Sequence, residues 1–241
     1  MVPVLAYILL RQWIVTNWTW LDPMLTLSAY SLSVVMWLYL SNLRFHFFLN
    51  RLLLYLKYDH TTWVLSAQYR LSGEKEDLMD ILEEQLRESD CRVEKRERGF
   101  VKVLWQNKYL LRFRETQDTH GDEERYLQFD TSAIDVPMRQ NAAMVAKLAN
   151  LLDSMESSIP LVRPGAKRYE LDIEYSGRSP YYSYWVRKLP EEMIYNFNCT
   201  IRLPDERSGG IQVNKNHVII KAQQRHQLFK LTQDYVTLKT A

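Results

Sequence analysis

Hydrophobic residues dominate the first fifth of the chain and then alternate with polar residues over much of the rest. A stretch free of formal charge covers residues 24–43, MLTLSAYSLSVVMWLYLSNL. About 20 helical residues cover roughly 30 Å, the thickness of a bilayer core. Asp22 and Pro23 supply a helix cap and a first-turn proline before it. The pattern predicts a transmembrane helix, and the alternative is a buried helix of a soluble protein.

A second apolar segment, residues 2–20, precedes this helix but is interrupted by Arg11, Gln12 and Asn17. A central arginine costs about 2.5–3.5 kcal/mol on insertion scales. The segment therefore either spans the membrane, which makes a tight hairpin through residues 21–23, or lies in the interface as an amphipathic helix. We favour the hairpin. A secretory signal peptide is not expected, because a basic start and a small-residue cleavage site are missing.

Residues around the two apolar segments indicate how they meet the membrane. Tryptophans near the ends fit an aromatic belt, and serines inside a helix can bond back to its backbone. Arg44, Arg51 and Lys57 follow the second segment, so by the positive-inside rule the C-terminal part is cytoplasmic. The residues expected to contact lipid, headgroups or a partner helix are Arg11, Trp13, Trp18, Trp20, Ser28, Ser31, Trp37, Arg44 and Arg51.

From residue 61 onward, period-2 and period-3.6 patterns alternate, which predicts an α+β region. The first set of elements is a strand at 62–71, a helix at 74–89, strands at 91–97, 100–105, 109–115 and 125–129, and a helix at 141–155. A linker is expected at 157–167, where two prolines and a glycine cluster. The second set is a strand at 169–175, a helix at 189–197, a strand at 199–203, a hairpin at 211–222 and a helix at 224–238.

The two sets of elements have the same order, which indicates an internal duplication. Cys91 and Cys199 each open the strand that follows the first helix of their set. The layout predicts two α/β sandwich halves of ferredoxin-like type. The expected domains are a transmembrane hairpin with a juxtamembrane helix at 1–58, a first cytosolic half at 59–159 and a second at 160–241.

Composition and charge exclude several classes of protein. Aromatic residues reach 12% of the 241 residues, which argues against disorder over most of the chain. Residues 1–58 carry four basic side chains and one acidic, and the rest of the chain carries 27 basic and 28 acidic. The large C-terminal part therefore has no basic excess, and direct DNA binding is not expected.

Motifs for catalysis, cofactors and metals are missing from the sequence. There is no glycine-rich phosphate loop, nucleophile elbow, zinc-binding helix motif or clustered pair of cysteines. His120 lies in the acidic run DTHGDEE, where a solvated loop is the ordinary interpretation, and Cys91 fits a buried strand cysteine. We therefore expect no enzyme, no cofactor and no metal. An enzymatic function would depend on Cys91 or His120.

Two segments are candidates for binding a ligand or a partner. In the run RVEKRERGFVK, strand alternation would place Arg92, Arg96 and Arg98 on one side, where they could receive a phosphate or a carboxylate, or form a solvated face. The segment SPYYSYWVRK combines aromatic rings that can stack on bases with nearby cations, and it equally fits a protein-binding hot spot or a core corner. Its candidate residues are Tyr181, Tyr182, Tyr184, Trp185 and Arg187.

The N-terminal architecture resembles the two-transmembrane effector proteins of bacterial antiphage defence. The resemblance rests on residues 2–20 and 24–43, followed by Arg44, Arg51 and Lys57. It implies a cytosolic domain that detects a nucleotide second messenger or a protein partner, after which the membrane helices of a homo-oligomer perturb the bilayer. No binding residue is implied by a motif. The alternative is a scaffold or assembly subunit of a larger membrane complex, such as one for secretion or polysaccharide export.

The membrane prediction is tested by fractionation of cells that produce the full chain. An integral membrane helix keeps the protein in the pellet after a carbonate wash, because its apolar surface stays in lipid. We expect detergent, but not carbonate, to release the protein. Release by carbonate, with the protein freely soluble afterwards, would contradict the prediction.

Overall fold

A computed structural model describes most of the chain. The described residues are 7–8, 11–13, 21–56, 60–71, 78–88, 91–117, 124–158, 162–186, 194, 196–202 and 209–233. The chain divides into two compact units, Met1–Leu49 and Asn50–Ala241. Each unit is described by itself.

One long helix dominates the N-terminal unit. Helix α1 (Leu21–Ser41) contains the stretch Pro23–Ser41, which is long and apolar enough to cross a membrane, with a mean hydropathy of 1.4 and none of it buried. It is the one such helix within the described ranges. Leu27, Tyr30 and Trp37 are each at least 66% exposed. A core helix of a soluble protein would have these side chains covered.

The serines of α1 bond to their own helix, as the sequence predicts. Ser28 Oγ donates to the carbonyl of Leu25 at 2.7 Å, and Ser31 Oγ donates to the carbonyl of Ser28 at 2.9 Å. These bonds remove the cost of a bare hydroxyl in an apolar surrounding. In the preceding segment only residues 7–8 and 11–13 are described, and they are helical. Trp18 and Trp20 lie outside the described residues. Residues 21–23, expected to form the loop of the hairpin, are instead the first turn of α1, because Pro23 is accepted in the first turn of a helix. That residues 2–20 span the membrane stays a prediction.

Asn42 ends the first helix and begins the second, α2 (Leu43–Leu56). Its side-chain oxygen accepts from the backbone N–H of Phe45 at 3.1 Å, which caps the new helix. The ring of His46 is buried against that of Tyr39, with centroids 4.4 Å apart. Arg44 is exposed, as expected for a residue near headgroups, and the side chain of Arg51 lies outside the description.

The second unit is built on one ten-stranded antiparallel sheet. Its strands are β1 (His60–Leu71), β2 (Cys91–Glu97), β3 (Phe100–Trp105), β4 (Tyr109–Gln117), β5 (Arg125–Thr131), β6 (Ile134–Pro137), β7 (Val162–Tyr175), β8 (Cys199–Arg202), β9 (Gly210–Val213) and β10 (His217–Ala222). The strand order is β2-β3-β4-β5-β1-β7-β10-β9-β8, and β6 pairs with the start of β1 beyond the end of β5.

The prediction of two separate ferredoxin-like sandwiches is wrong, because the two halves share this sheet. The first strand of each half, β1 and β7, pair with each other from Thr61 opposite Tyr175 to Tyr69 opposite Lys167. In both halves the strand that pairs next to the first one is a late strand, β5 or β10. The order of elements is thus repeated, as the sequence indicates, while the hydrogen bonds of the central strands join the repeats.

Four helices accompany the sheet: α3 (Leu78–Glu88), α4 (Asn141–Ser158), α5 (Pro180–Val186) and α6 (Arg225–Leu231). Alternate residues of each central strand, such as Trp63, Leu65 and Leu171, are fully buried on one face. α4 contacts α3 and α6 on this same face. The core therefore lies between the sheet and one layer of helices.

Glu156 of α4 links this helix to both central strands. Its carboxylate accepts from the hydroxyl of Tyr169 at 2.5 Å and from that of Tyr69 at 3.4 Å, and Lys167 Nζ lies 2.6 Å away. Arg225 of α6 is within 4.0 Å of the same carboxylate. Burial, with the nearby carboxylate, raises the pKa of both tyrosines above the ordinary value. The half-buried carboxylate is thus shared among α4, β1, β7 and α6.

Two further predictions about elements differ from the structure. Residues 162–167, expected to be part of a linker, begin β7. The register shifts opposite them, between Tyr69 and Leu71, and Pro164 fits at this irregularity because it has no N–H to donate to the ladder. The aromatic segment, for which no helix is predicted, forms α5. Most of the helix expected at 189–197 lies outside the described residues.

Tyr175 generates a prediction about alkaline stability. Its hydroxyl is buried and has no hydrogen-bond partner among the described residues, and burial raises its pKa above the ordinary value. Tyrosine in the unfolded chain ionises near pH 10. The stability tied to the neutral hydroxyl is therefore complete below pH 10 and is lost as pH rises above it.

We expect Tyr175→Phe to unfold in urea at the same midpoint as the parent protein or a higher one at pH 8, because the change removes an unsatisfied buried group. Between pH 8 and pH 11 the variant should lose less stability than the parent. The measurement is urea unfolding of the full chain in detergent, with Tyr30→Phe in α1 as the control. An equal alkaline loss in parent and variant would argue against a buried neutral Tyr175.

Candidate functional site

The face of the sheet opposite the helices is a broad polar surface. Its side chains come from the alternate strand positions that do not enter the core, and no described element packs on it. An antiparallel sheet can leave one face to solvent in this way. The side chains of this open face can therefore meet a ligand directly.

Four of these side chains form a line across the middle of the sheet, which we name the arginine–glutamine row: Arg114 on β4, Gln128 on β5, Gln68 on β1 and Arg168 on β7. Arg114 is opposite Gln128, Gln128 is opposite Gln68, and Gln68 is opposite Arg168. Both arginines are exposed and both glutamines are half-buried. None of the four side chains has a hydrogen bond or ion pair with another described residue.

A depression of about 510 Å³ lies over part of this row. Gln68, Gln128 and Arg168 line it together with Ser66, Glu170 and Lys221. Lys221 Nζ lies 3.0 Å from a carboxylate oxygen of Glu170, so these two charges offset each other. Arg168 is the remaining cation in the lining. The depression thus combines a net positive charge with amide groups that can donate and accept hydrogen bonds.

Charge is segregated on the open face. Arg114 belongs to a basic region with Arg112 and Lys102, and Lys102 is paired with Glu94 at 3.0 Å. The other end is acidic and contains histidines. There His217 Nδ1 lies 3.0 Å from Asp172, and His60 Nδ1 lies 3.0 Å from Asp135. An anionic ligand is therefore attracted to the row and repelled from the far end.

The structure separates the three arginines that the sequence analysis groups together. A register shift between Val93 and Lys95 inserts an extra residue into β2, which reverses the alternation of its faces. Arg92 projects on the open-face side, while Arg96 pairs with Asp80 and Glu83 of α3. Arg98 belongs to the turn between β2 and β3. These three residues do not form a common site.

The aromatic candidates are also divided. Tyr181 and Tyr182 are buried, and the ring of Tyr182 packs edge-on against Phe197 with centroids 5.2 Å apart. Trp185 is 56% exposed. The side chain of Tyr184 and all of Arg187 lie outside the described residues. Two of the five candidates therefore contribute to packing, which is one of the alternatives that the sequence leaves open.

The location of α5 can be explained by a capping signal in the sequence. Ser179 Oγ accepts from the backbone N–H of Tyr182 at 3.1 Å, and Pro180 occupies the first helical position. The pair Ser-Pro before the tyrosines is thus a helix start.

Metal binding has no support within the described ranges, where no group of three suitable ligands is present. Cys91 is buried and forms no disulfide.

Sequence reasoning missed the arginine–glutamine row. Its members are spread over 100 residues of the chain, from Gln68 to Arg168, and only the strand order brings them together. Arg114 and Arg112 give a local signal, since basic residues alternate with apolar ones in LLRFRE. That alternation identifies an exposed basic strand face. It does not say that glutamines from β5 and β1 lie beside it.

Comparison with known proteins gives little further guidance. No protein-family model matches the chain, and no curated protein matches it. Among solved structures, the crystal structure of aspartokinase alpha and beta subunits is 10% identical, with 73% of this chain and 95% of that chain covered, at a TM-score of 0.17. Likeness at this level says nothing about fold or function. The function must be inferred from the side chains of this chain.

Proposed function

We propose that the protein is a membrane-anchored receptor that binds a phosphate-bearing nucleotide on the open face of its sheet. The observation that carries the proposal is the arginine–glutamine row, in which two exposed guanidinium groups flank two amides without a partner in the described structure. Arginine binds phosphate through two parallel hydrogen bonds, and glutamine offers a donor beside an acceptor to a base.

The two arginines of this row differ from the arginines that are held in ion pairs elsewhere in the second unit. Arg96 is held by two carboxylates of α3, and Arg125 is paired with Glu115 at 2.6 Å. Arg114 and Arg168 have no such partner in the described part of the chain. Without a carboxylate partner, an exposed guanidinium keeps its N–H donors available for two parallel hydrogen bonds to an external anion.

Membrane attachment is the second part of the proposal. Helix α1 is apolar and exposed, and it precedes Arg44, which is exposed as well. We place α1 across a bacterial inner membrane, with the sheet in the cytoplasm, where nucleotide signals are made. The resemblance to two-transmembrane antiphage effectors extends this to an output: ligand binding leads to oligomerisation, and the helices of the oligomer perturb the bilayer.

Binding of ATP to the full chain in phosphatidylcholine nanodiscs tests the receptor function. The double variant Arg114→Gln, Arg168→Gln should bind ATP at least about tenfold more weakly, since charge-assisted bonds to phosphate are lost. The matched control is Lys147→Gln, Lys230→Gln, which removes two charges from α4 and α6. The measurement is isothermal titration calorimetry.

The control variant should bind ATP within about twofold of the parent protein, as expected for charges on the helix side of the sheet. An equal loss of ATP affinity in both double variants would show a general effect of charge and would contradict the proposed site. No binding of ATP by the parent would contradict the receptor function, and the scaffold alternative would then describe the protein better.

The proposed perturbation of the bilayer is tested with dye-filled liposomes that contain the reconstituted chain. Leu32 is 72% exposed in the middle of α1, and an arginine there costs about 2.5–3.5 kcal/mol in the membrane. We expect Leu32→Arg to abolish dye release at a protein density where the parent causes it, while ATP binding is retained. Leu32→Ala is the control that should still release dye. Undiminished release by Leu32→Arg would contradict the effector mechanism.

A further inference from the structure

Helix α2 carries an apolar stripe along one of its sides. We propose that α2 lies along the cytoplasmic surface of the membrane, with this stripe among the acyl chains and its arginines among anionic lipid headgroups. The inference rests on the part of the proposed function that places α1 across the membrane. It adds a second element, which binds lipid, to the anchor.

The apolar stripe consists of positions that recur every three or four residues along α2. At 3.6 residues per turn these positions cover about 140° of the helix, which is the width of a broad apolar face. Four of the six side chains are exposed, and Leu56 is the most exposed of them at 62%. The members of the stripe are Phe45, Phe48, Leu49, Leu52, Leu53 and Leu56. A helix surrounded by water would leave this surface uncovered.

The length of α1 places the start of α2 at the membrane surface. The apolar stretch Pro23–Ser41 has 19 residues, which cover about 28 Å of helix and so nearly the whole bilayer core. Asn42 then ends α1 and caps α2, so the second helix begins at the level of the headgroups. The exposed apolar surface of α1 is thus followed directly by the stripe of α2, and one apolar medium can cover both.

The charges of this segment match an anionic surface. Residues 43–57 contain three basic residues, Arg44, Arg51 and Lys57, and no acidic one. Arg44 and Arg51 are seven residues apart, so their backbone positions lie on one side of α2, at a flank of the stripe. A basic amphipathic helix of this kind lies in the membrane interface, where its cations contact headgroups and its apolar face contacts acyl chains.

A second copy of α2 is the competing partner for the stripe. Two copies anchored by α1 in the same orientation would pair in parallel, which brings Arg44 and Arg51 of one copy toward the same residues of the other. These like charges repel, and no acidic residue of the segment offsets them. The 14 residues of α2 also make only two heptads, fewer than a sustained coiled coil needs. Anionic lipid supplies both the apolar medium and the opposite charge.

Spin labels on the full chain test the proposal by electron paramagnetic resonance. In a chain with Cys91→Ala and Cys199→Ala, one label is attached through Leu52→Cys in the stripe, Asn50→Cys outside it or Leu32→Cys in α1. The proteins are reconstituted in phosphatidylcholine vesicles, with or without phosphatidylglycerol. Collisions with oxygen identify a label in lipid, and collisions with a neutral nickel chelate identify one in water. We expect the labels at positions 32 and 52 to lie in lipid and the label at position 50 to lie in water.

Phosphatidylglycerol should increase the ratio of inserted to lifted α2, read at position 52, by about fivefold for each arginine that contacts headgroups. The double variant Arg44→Gln, Arg51→Gln should lose this gain. The matched control Lys147→Gln, Lys230→Gln, which removes two charges from α4 and α6, should keep it. Insertion that does not respond to phosphatidylglycerol would overturn the proposal.

The outcomes separate this proposal from the proposed function. If the label at position 52 lies in water while the label at position 32 lies in lipid, the lipid-binding role of α2 is overturned and the anchor stands. If both labels lie in water, the anchor is overturned as well. A label at position 52 that is shielded from both reagents and broadened by a second label would show α2 packed on another copy, which also overturns the proposal. Urea unfolding of each variant confirms that the fold is retained.

Discussion

The antiparallel pairing of β1 with β7 holds the second unit together. β1 is bonded on its other side to β5 and β6, so it lies in the interior of the sheet along its length. Its inward residues, among them Trp63 and Leu65, are fully buried. A shift of register by one residue would turn this whole set toward solvent, which fixes the alignment. The same alignment sets Gln68 beside Arg168, so the core and the candidate site depend on one register.

The open face shows two different arrangements of charge. Toward β10, charged groups are matched: Lys221 lies 3.0 Å from Glu170, and His217 lies 3.0 Å from Asp172. Toward β4 the matching is partial: Lys102 lies 3.0 Å from Glu94, and Arg112 is opposite Asp130, whereas Arg114 has no carboxylate opposite it. Neighbouring like charges repel, and at Arg114 no ion pair with a described residue offsets this cost. An external anion would offset it, which is the physical basis for treating this region as a binding surface.

Local patterns predict the elements of this protein but not their assembly. Alternation gave the extents of β1, β2, β3 and β4 closely, and the helical period placed α4, because burial on one face repeats within a few residues. The pairing of β1 with β7 could not be predicted, since it depends on contacts between distant segments. The start of β7 was obscured by Pro164, which ordinarily indicates a linker. The reversal of faces within β2 was hidden for a similar reason, because a bulge changes the alternation without a signal in composition.

The net charge of the C-terminal part does not show how charge is distributed on the open face of the sheet. Residues 59–241 carry 27 basic and 28 acidic side chains, which argues against a surface for a long nucleic acid. That balance is a sum over the whole region and does not describe the open face, whose two ends differ in sign. A long polyanion would contact both ends and gain little, whereas a ligand confined to the row meets Arg114 and Arg168 and remains away from Asp172. The near-neutral composition and the proposed nucleotide ligand are therefore consistent, because a small anion can bind at Arg114 and Arg168 while a long polyanion would also meet the acidic end.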